Sequence, residues 1–132
     1  ATMFSQAGSE LPCLGTTHAD HFYGAVPLVR ALTAEEVADD YETHTGRAIV
    51  EHFRTAGINP VEMPAALQAS HAPFTWGASA LDSVNNSIAL ETCARMAHGT
   101  LQLDPRVDPL PAHILDKHHL RKHGPDSYYG QK

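Results

Sequence analysis

The sequence predicts an α/β fold, and three observations lead to it. Short strand-like runs flanked by proline alternate with segments whose apolar residues recur at spacings of three and four. Thr33-Ala34-Glu35-Glu36 and the pair Ser79 and Asp82 carry helix-start signals. Only a few strands are visible, too few for a sheet of ordinary width, so the predicted sheet is incomplete. With 132 residues, 42% hydrophobic and 18% charged, the chain has the composition of one globular domain or a piece of one.

The elements follow in order. Residues 1–8 read as the end of an amphipathic helix stopped by Gly8, without the basic segment that opens a signal peptide. Residues 9–24, rich in Gly, Thr, Pro and Ser, read as a strand followed by a functional loop, Gly15-Thr16-Thr17-His18-Ala19-Asp20-His21. Residues 25–29 form a short strand that Pro27 confines to an edge or a strand end. The Thr33 capping box starts a helix with Val37 and Tyr41 on one face, and Thr45-Gly46 breaks it. A second helix carries Ala48, Ile49, His52, Phe53 and Ala56, and stops at Gly57 ahead of Pro60.

Residues 65–71, between Pro64 and Pro73, suit a buried strand whose end delivers Ser70 and His71 to an open edge. Ser79 caps the longest helix. Its apolar stripe runs through Leu81, Val84 and Ile88, shifts to Ala89, Cys93 and Met96, and ends near His98-Gly99. Three prolines make residues 104–111 a loop. Leu110, Ile114 and His118 then share one face of a last helix closed by Gly124, and Tyr128-Tyr129 follow in a polar tail.

Nine Lys and Arg against fifteen Asp and Glu give a net charge of -6, a field that argues against nucleic acid or an anionic membrane as partner. No apolar run approaches the roughly 20 residues needed to span a bilayer. Cys13 and Cys93 form no CxxC pair, which fits a reduced, cytoplasmic setting.

The ten histidines are scattered, so they do not form a metal-binding tract. His71, at a strand end, is a candidate metal ligand, although no second ligand lies at local spacing; a hydrogen-bonded core histidine is the plainer alternative. Asp20 lies among Thr16, Thr17, His18 and His21, which can hold it for acid/base work, or it simply forms a turn. His119 and His123 have the i,i+4 spacing of helical metal ligands, but the run 117–123 reads better as cations complementing the negative end of a helix. His118 differs, because it shares the apolar face. Tyr128-Tyr129 are either packing anchors or a source of an acid/base phenol.

Three segments join these signals. Gly15-Thr16-Thr17-His18-Ala19-Asp20 followed by Phe22-Tyr23-Gly24, then Ser70-His71-Ala72-Pro73-Phe74-Thr75-Trp76-Gly77, then residues 115–124 with Tyr128-Tyr129-Gly130-Gln131, resemble the L-ribulose-5-phosphate 4-epimerases of the class II aldolase/adducin-like family. The resemblance runs in order along essentially the whole chain. Its last segment is the most specific. It favours the epimerases over class II sugar-phosphate aldolases such as L-fuculose-phosphate aldolase, and over the non-catalytic adducin head domain.

The resemblance implies a partial three-layer α/β/α sandwich of the class II aldolase type, with residues 1–132 as the C-terminal part of a single domain. It implies zinc-dependent retro-aldol and aldol chemistry that interconverts L-ribulose 5-phosphate and D-xylulose 5-phosphate through the bond between carbons 3 and 4. By position, His71 matches a zinc ligand, and Asp20 and Tyr129 match the two proton donor/acceptors. Thr16, Glu42 and His118 match supporting residues. The family also implies a homotetramer in which the C-terminal segment reaches a neighbouring subunit. The phosphate-binding segments and the His-x-His ligand pair of the family are not in this sequence, so the 132 residues are expected to be a fragment that is inactive alone.

Overall fold

Residues 65–68 organise the molecule, as their uninterrupted burial requires. The computed structural model describes residues 1–130; Gln131 of the C-terminal motif lies outside them. The described elements are α1 (Thr2–Ala7), α2 (Thr16–Ala19), β1 (Leu28–Val29), α3 (Ala34–Asp39), α4 (Tyr41–Ala56), β2 (Ala65–Gln68), β3 (Pro73–Thr75), α5 (Ala80–Leu103) and α6 (Ala112–His123). All four residues of β2 are buried, the mark of a strand covered on both faces.

Among the described residues the sheet has the order β1-β2-β3. β1 runs parallel to β2, with Leu28 beside Leu67, and β3 runs antiparallel, with Ala66 beside Phe74. The predicted α/β class with a small, incomplete sheet is therefore what forms. Leu11, Phe22, Val26, Val29, Phe53, Met63 and Leu90 form one core cluster with Leu67 and the two alanines of β2. Full burial of such side chains stabilises by roughly 1.5–3 kcal/mol each before the entropy cost of ordering them.

Several elements differ from the expectation. Residues 9–24 hold no strand; Leu11 makes an isolated bridge with Val26, and the loop closes into α2. β2 stops at Gln68, because residues 69–72 turn the chain back into β3. Ser70 takes φ 61 in that turn, a conformation uncommon for a residue with a Cβ. Pro73 opens β3, a position where its missing N–H is tolerated.

The helix started by Thr33 ends at Asp40, not at Thr45-Gly46. Asp40 leaves helical geometry at φ -143, ψ 84, and its carboxylate accepts from the Thr43 N–H, so it starts α4. Gly46 then lies inside α4, where the burial of Thr45, Ala48 and Phe53 outweighs its propensity cost of about 1 kcal/mol. α5 likewise passes through Gly99 and stops at Asp104, just before Pro105.

The covered face of α5 is Leu90, Cys93, Ala94 and Ala97. Leu81, Val84 and Ile88, expected on the buried stripe, are 68, 55 and 61% exposed, and Met96 is exposed too. Leu90 and three small side chains make up this face, while Leu81, Val84, Ile88 and Met96 point to solvent. No helix among the described residues is long and apolar enough to cross a membrane.

Candidate active site

Thr16 begins α2, and Asp20 ends it, with the Asp20 N–H bonded to the Thr16 carbonyl at 3.0 Å. A helix this short has most of its backbone groups unpaired within it. α6 supplies the missing partners. The rings of His119 and His123 lie 3.2 and 2.9 Å from the carbonyls of Ala19 and Asp20, close enough to donate to them. On the other side, His18 is buried and donates its Nε2–H to the Gly24 carbonyl at 2.8 Å.

The Asp20 carboxylate faces α6. Nδ1 of His118 lies 3.2 Å from Oδ1, and one terminal nitrogen of Arg121 lies 3.2 and 3.1 Å from Oδ1 and Oδ2. All three side chains are largely buried. Burial alone would raise the Asp20 pKa. The hydrogen bonds from Arg121 and His118, with the charges of Arg121 and Lys122, outweigh it and hold the carboxyl below its ordinary value. Asp20 is thus a fixed anion with two donors aimed at it.

Tyr129 completes the cluster. The N–H groups of Tyr128 and Tyr129 both donate to the Arg121 carbonyl, at 2.9 and 3.0 Å. The Tyr129 ring lies 4.1 Å from the Arg121 guanidinium carbon, a cation–π stack. Tyr128 lies beneath the Lys117 ammonium at 5.2 Å. The tail therefore folds back on α6 of its own chain. Gly124 permits this return: a Cβ there would meet the Leu120 carbonyl oxygen at 2.6 Å.

His119, not His118, is the most buried residue of α6, at 2% exposure. Its Nδ1 faces the Ala19 carbonyl, and its Nε2 is buried with no hydrogen-bond partner among the described residues. Burial pushes its pKa down, with the charge of His123 adding to the effect. His118 is half-buried and reaches Asp20. Of the run 117–123, the reading as cations at a helix end misses that Arg121 reaches Asp20. The available signal was the spacing: Arg121 follows His118 by three residues and shares its helix face.

His71 stands in the exposed turn between β2 and β3. Its ring lies 6.3 Å from that of Tyr41 and 5.7 Å from that of Phe74, and neither ring nitrogen takes part in a hydrogen bond among the described residues. Glu42, exposed in the first turn of α4, is next to Tyr41 in the chain. Neither residue touches Asp20, His118 or Tyr129 through a hydrogen bond, ion pair or ring contact. Thr16 lines a cavity of about 260 Å³ between α2 and α5, together with Cys93 and Met96.

The described residues contain no group of three or more His, Cys, Asp or Glu able to hold a metal ion. A catalytic zinc takes three protein ligands and keeps an open position. An exposed imidazole with both nitrogens free fits one corner of such a site. The other ligands would have to come from outside the described residues.

The chain matches a family model described as the class II aldolase and adducin N-terminal domain over residues 1–98. It is 45% identical over 133 residues to the L-ribulose-5-phosphate 4-epimerase UlaF of Salmonella paratyphi B, and equally to that of Salmonella typhi. In both cases the match covers 100% of this chain and 57% of the relative, so the chain spans just over half the length of these curated relatives. An L-fuculose 1-phosphate aldolase structure shares the fold, with a TM-score of 0.63 at 17% identity over 89% of this chain and 48% of that one.

Proposed function

Because the chain belongs to the class II aldolase and adducin family, we propose that it is the C-terminal part of an L-ribulose-5-phosphate 4-epimerase, in the cytoplasm. The single observation that carries this reading is the cluster in which Asp20, His118 and Arg121 meet and Tyr129 stacks on Arg121.

The complete protein would interconvert L-ribulose 5-phosphate and D-xylulose 5-phosphate. The bond between carbons 3 and 4 breaks and re-forms with the opposite configuration at carbon 4. A proton leaves the carbon 4 hydroxyl as the bond breaks and returns to that oxygen as it re-forms. Asp20 and Tyr129 are suited to these two transfers from opposite faces of the aldehyde. The carboxylate is held ionised and can accept; the phenol can donate. Positioned groups of this kind contribute roughly 10²–10⁴-fold each. His118 orients the carboxylate and Thr16 stands at the other end of α2, while Glu42, which touches none of these groups within this chain, would support the site in the complete protein.

A zinc ion held in part by His71 would supply charge stabilisation on the hydroxy-ketone side of the cleavage. The remaining ligands and the phosphate pocket would be supplied by the part of the relatives' length that this chain does not span, which is 43% of it, since the match covers 57%. For that reason the 132 residues alone are expected to be inactive. Homotetrameric assembly, with the C-terminal segment at a subunit boundary, is part of the same proposal.

The test is turnover of L-ribulose 5-phosphate by the complete protein. Asp20→Asn and Tyr129→Phe should each lower epimerisation by 10²-fold or more, by the magnitudes typical of acid/base groups, while the assembly stays intact by sedimentation. Wild-type rates in both variants overturn the assignment. Release of free cleavage products in place of D-xylulose 5-phosphate would make the protein an aldolase.

A further inference from the structure

Arg121 touches both proposed proton-transfer groups. One terminal nitrogen bridges the two oxygens of Asp20, and the guanidinium plane carries the Tyr129 ring at 4.1 Å. Its own carbonyl receives the N–H groups of Tyr128 and Tyr129, so backbone and side chain of a single residue fix the returning tail. Its Nε is buried and has no hydrogen-bond partner among the described residues. A buried donor is left unpaired so that the rest of the group can reach both partners, which argues that its placement is set by them.

We infer that Arg121 is a positioning residue for the proposed epimerisation: it locks the Asp20 carboxylate and the Tyr129 ring into one mutual geometry. The inference rests on the reading of Asp20 and Tyr129 given above. The guanidinium is suited to the task because its plane can stack on an aromatic face while its edge donates to a carboxylate. An ammonium group supplies the charge but not the flat surface.

The charged and titratable groups around Asp20 are His118, His119, Arg121, Lys122 and His123 from α6 and His21 from its own turn. On the α5 side, the wall of the adjoining cavity offers Cys93, Met96, Ala97 and Thr100, none charged at neutral pH. Arg121 is therefore the permanent cation in hydrogen-bond contact with the carboxylate, and its removal should be read directly in the ionisation of Asp20.

The experiment compares Arg121→Gln and Arg121→Lys in the complete protein, with L-ribulose 5-phosphate as substrate. Arg121→Gln should lower kcat roughly 10²-fold, the cost of misplacing a reacting group by about 1 Å. KM should change little, and the acid limb of the kcat profile should move to higher pH. Arg121→Lys should restore the acid limb but only part of kcat. Adding Arg121→Gln to Tyr129→Phe should cost less than it does in the wild type, since the two act through one geometry. Wild-type kcat and an unmoved acid limb in both variants overturn the inference, as does a loss of folded protein with normal kcat per folded enzyme. Wild-type rates in Asp20→Asn and Tyr129→Phe sink instead the reading on which the inference rests.

Discussion

Nδ1 of His118 lies 3.2 Å from the carboxylate of Asp20, a residue 98 positions earlier in the chain. Arg121 shares the same carboxylate, so His118 is one of two donors. His118→Asn in the complete protein should therefore weaken the site without abolishing it. Losing one hydrogen bond to a charged group costs about 1.5–3 kcal/mol, or roughly 10- to 150-fold in kcat/KM if all of it is felt in the transition state. Steady-state kinetics check this, and an unchanged kcat/KM would remove His118 from the supporting role.

His71→Asn should lower the zinc retained by the complete protein after dialysis, because it removes a candidate ligand from an exposed turn whose fold does not depend on it. Metal analysis reads the result directly. Retention equal to wild type would show that the imidazole is not a ligand.

Stability should fall in mild acid through His18. Burial lowers its pKa from 6.5 to about 4. Its contribution is complete above 6.5, where folded and unfolded chains are both neutral, and is lost as the pH falls through about 4. The loss is about 3 kcal/mol, at roughly 1.4 kcal/mol per unit. His21 and His119 are shifted in the same direction, chiefly by burial, and add to it. His18→Gln keeps a donor for the Gly24 carbonyl and should flatten this part of the profile. Urea titrations between pH 7 and 4 decide; parallel profiles would show that His18 is not the source.

Thr33→Ala removes one half of a complete capping box, worth about 1 kcal/mol. α3 has no buried residue, so the loss should be local. Amide exchange in residues 34–39 should accelerate while the melting temperature barely moves. A large drop in melting temperature would mean that α3 belongs to the global folding unit.

Gly124→Ala should displace the tyrosine tail, because its Cβ would press on the backbone of Leu120. The core lies elsewhere, so turnover should fall further than stability. Normal activity in this variant would show that the tail is not held by this turn.

Part of the fold was legible because the responsible residues act locally. The apolar run of β2 between prolines, the Thr33 box, the Ser79 cap and the stops at Gly57 and Gly124 each carry their own physics. β3 was not legible, since it is three residues long and begins with a proline that reads as a boundary. Asp40 was missed because it ends one helix and caps the next. Periodicity finds a stripe on α5 but not which stripe is covered; the covered one is Leu90, Cys93, Ala94 and Ala97. Of the residues that meet between α2, α6 and the tail, Asp20, His118 and Tyr129 stand out in the sequence through the segments that carry the resemblance. Arg121 was hidden among cations whose spacing has an ordinary explanation.

The seam between α2 and α6 joins residues about a hundred positions apart. During synthesis, at roughly 5–20 residues per second, Asp20 is joined to the chain about 5–20 s before Arg121. For that interval the nascent carboxylate is solvated and the backbone of α2 lacks its covering helix. The contacts between α2 and α6 are thus among the last the polypeptide can make, and a ribosome stalled before α6 releases a chain that has most of its core but lacks this seam.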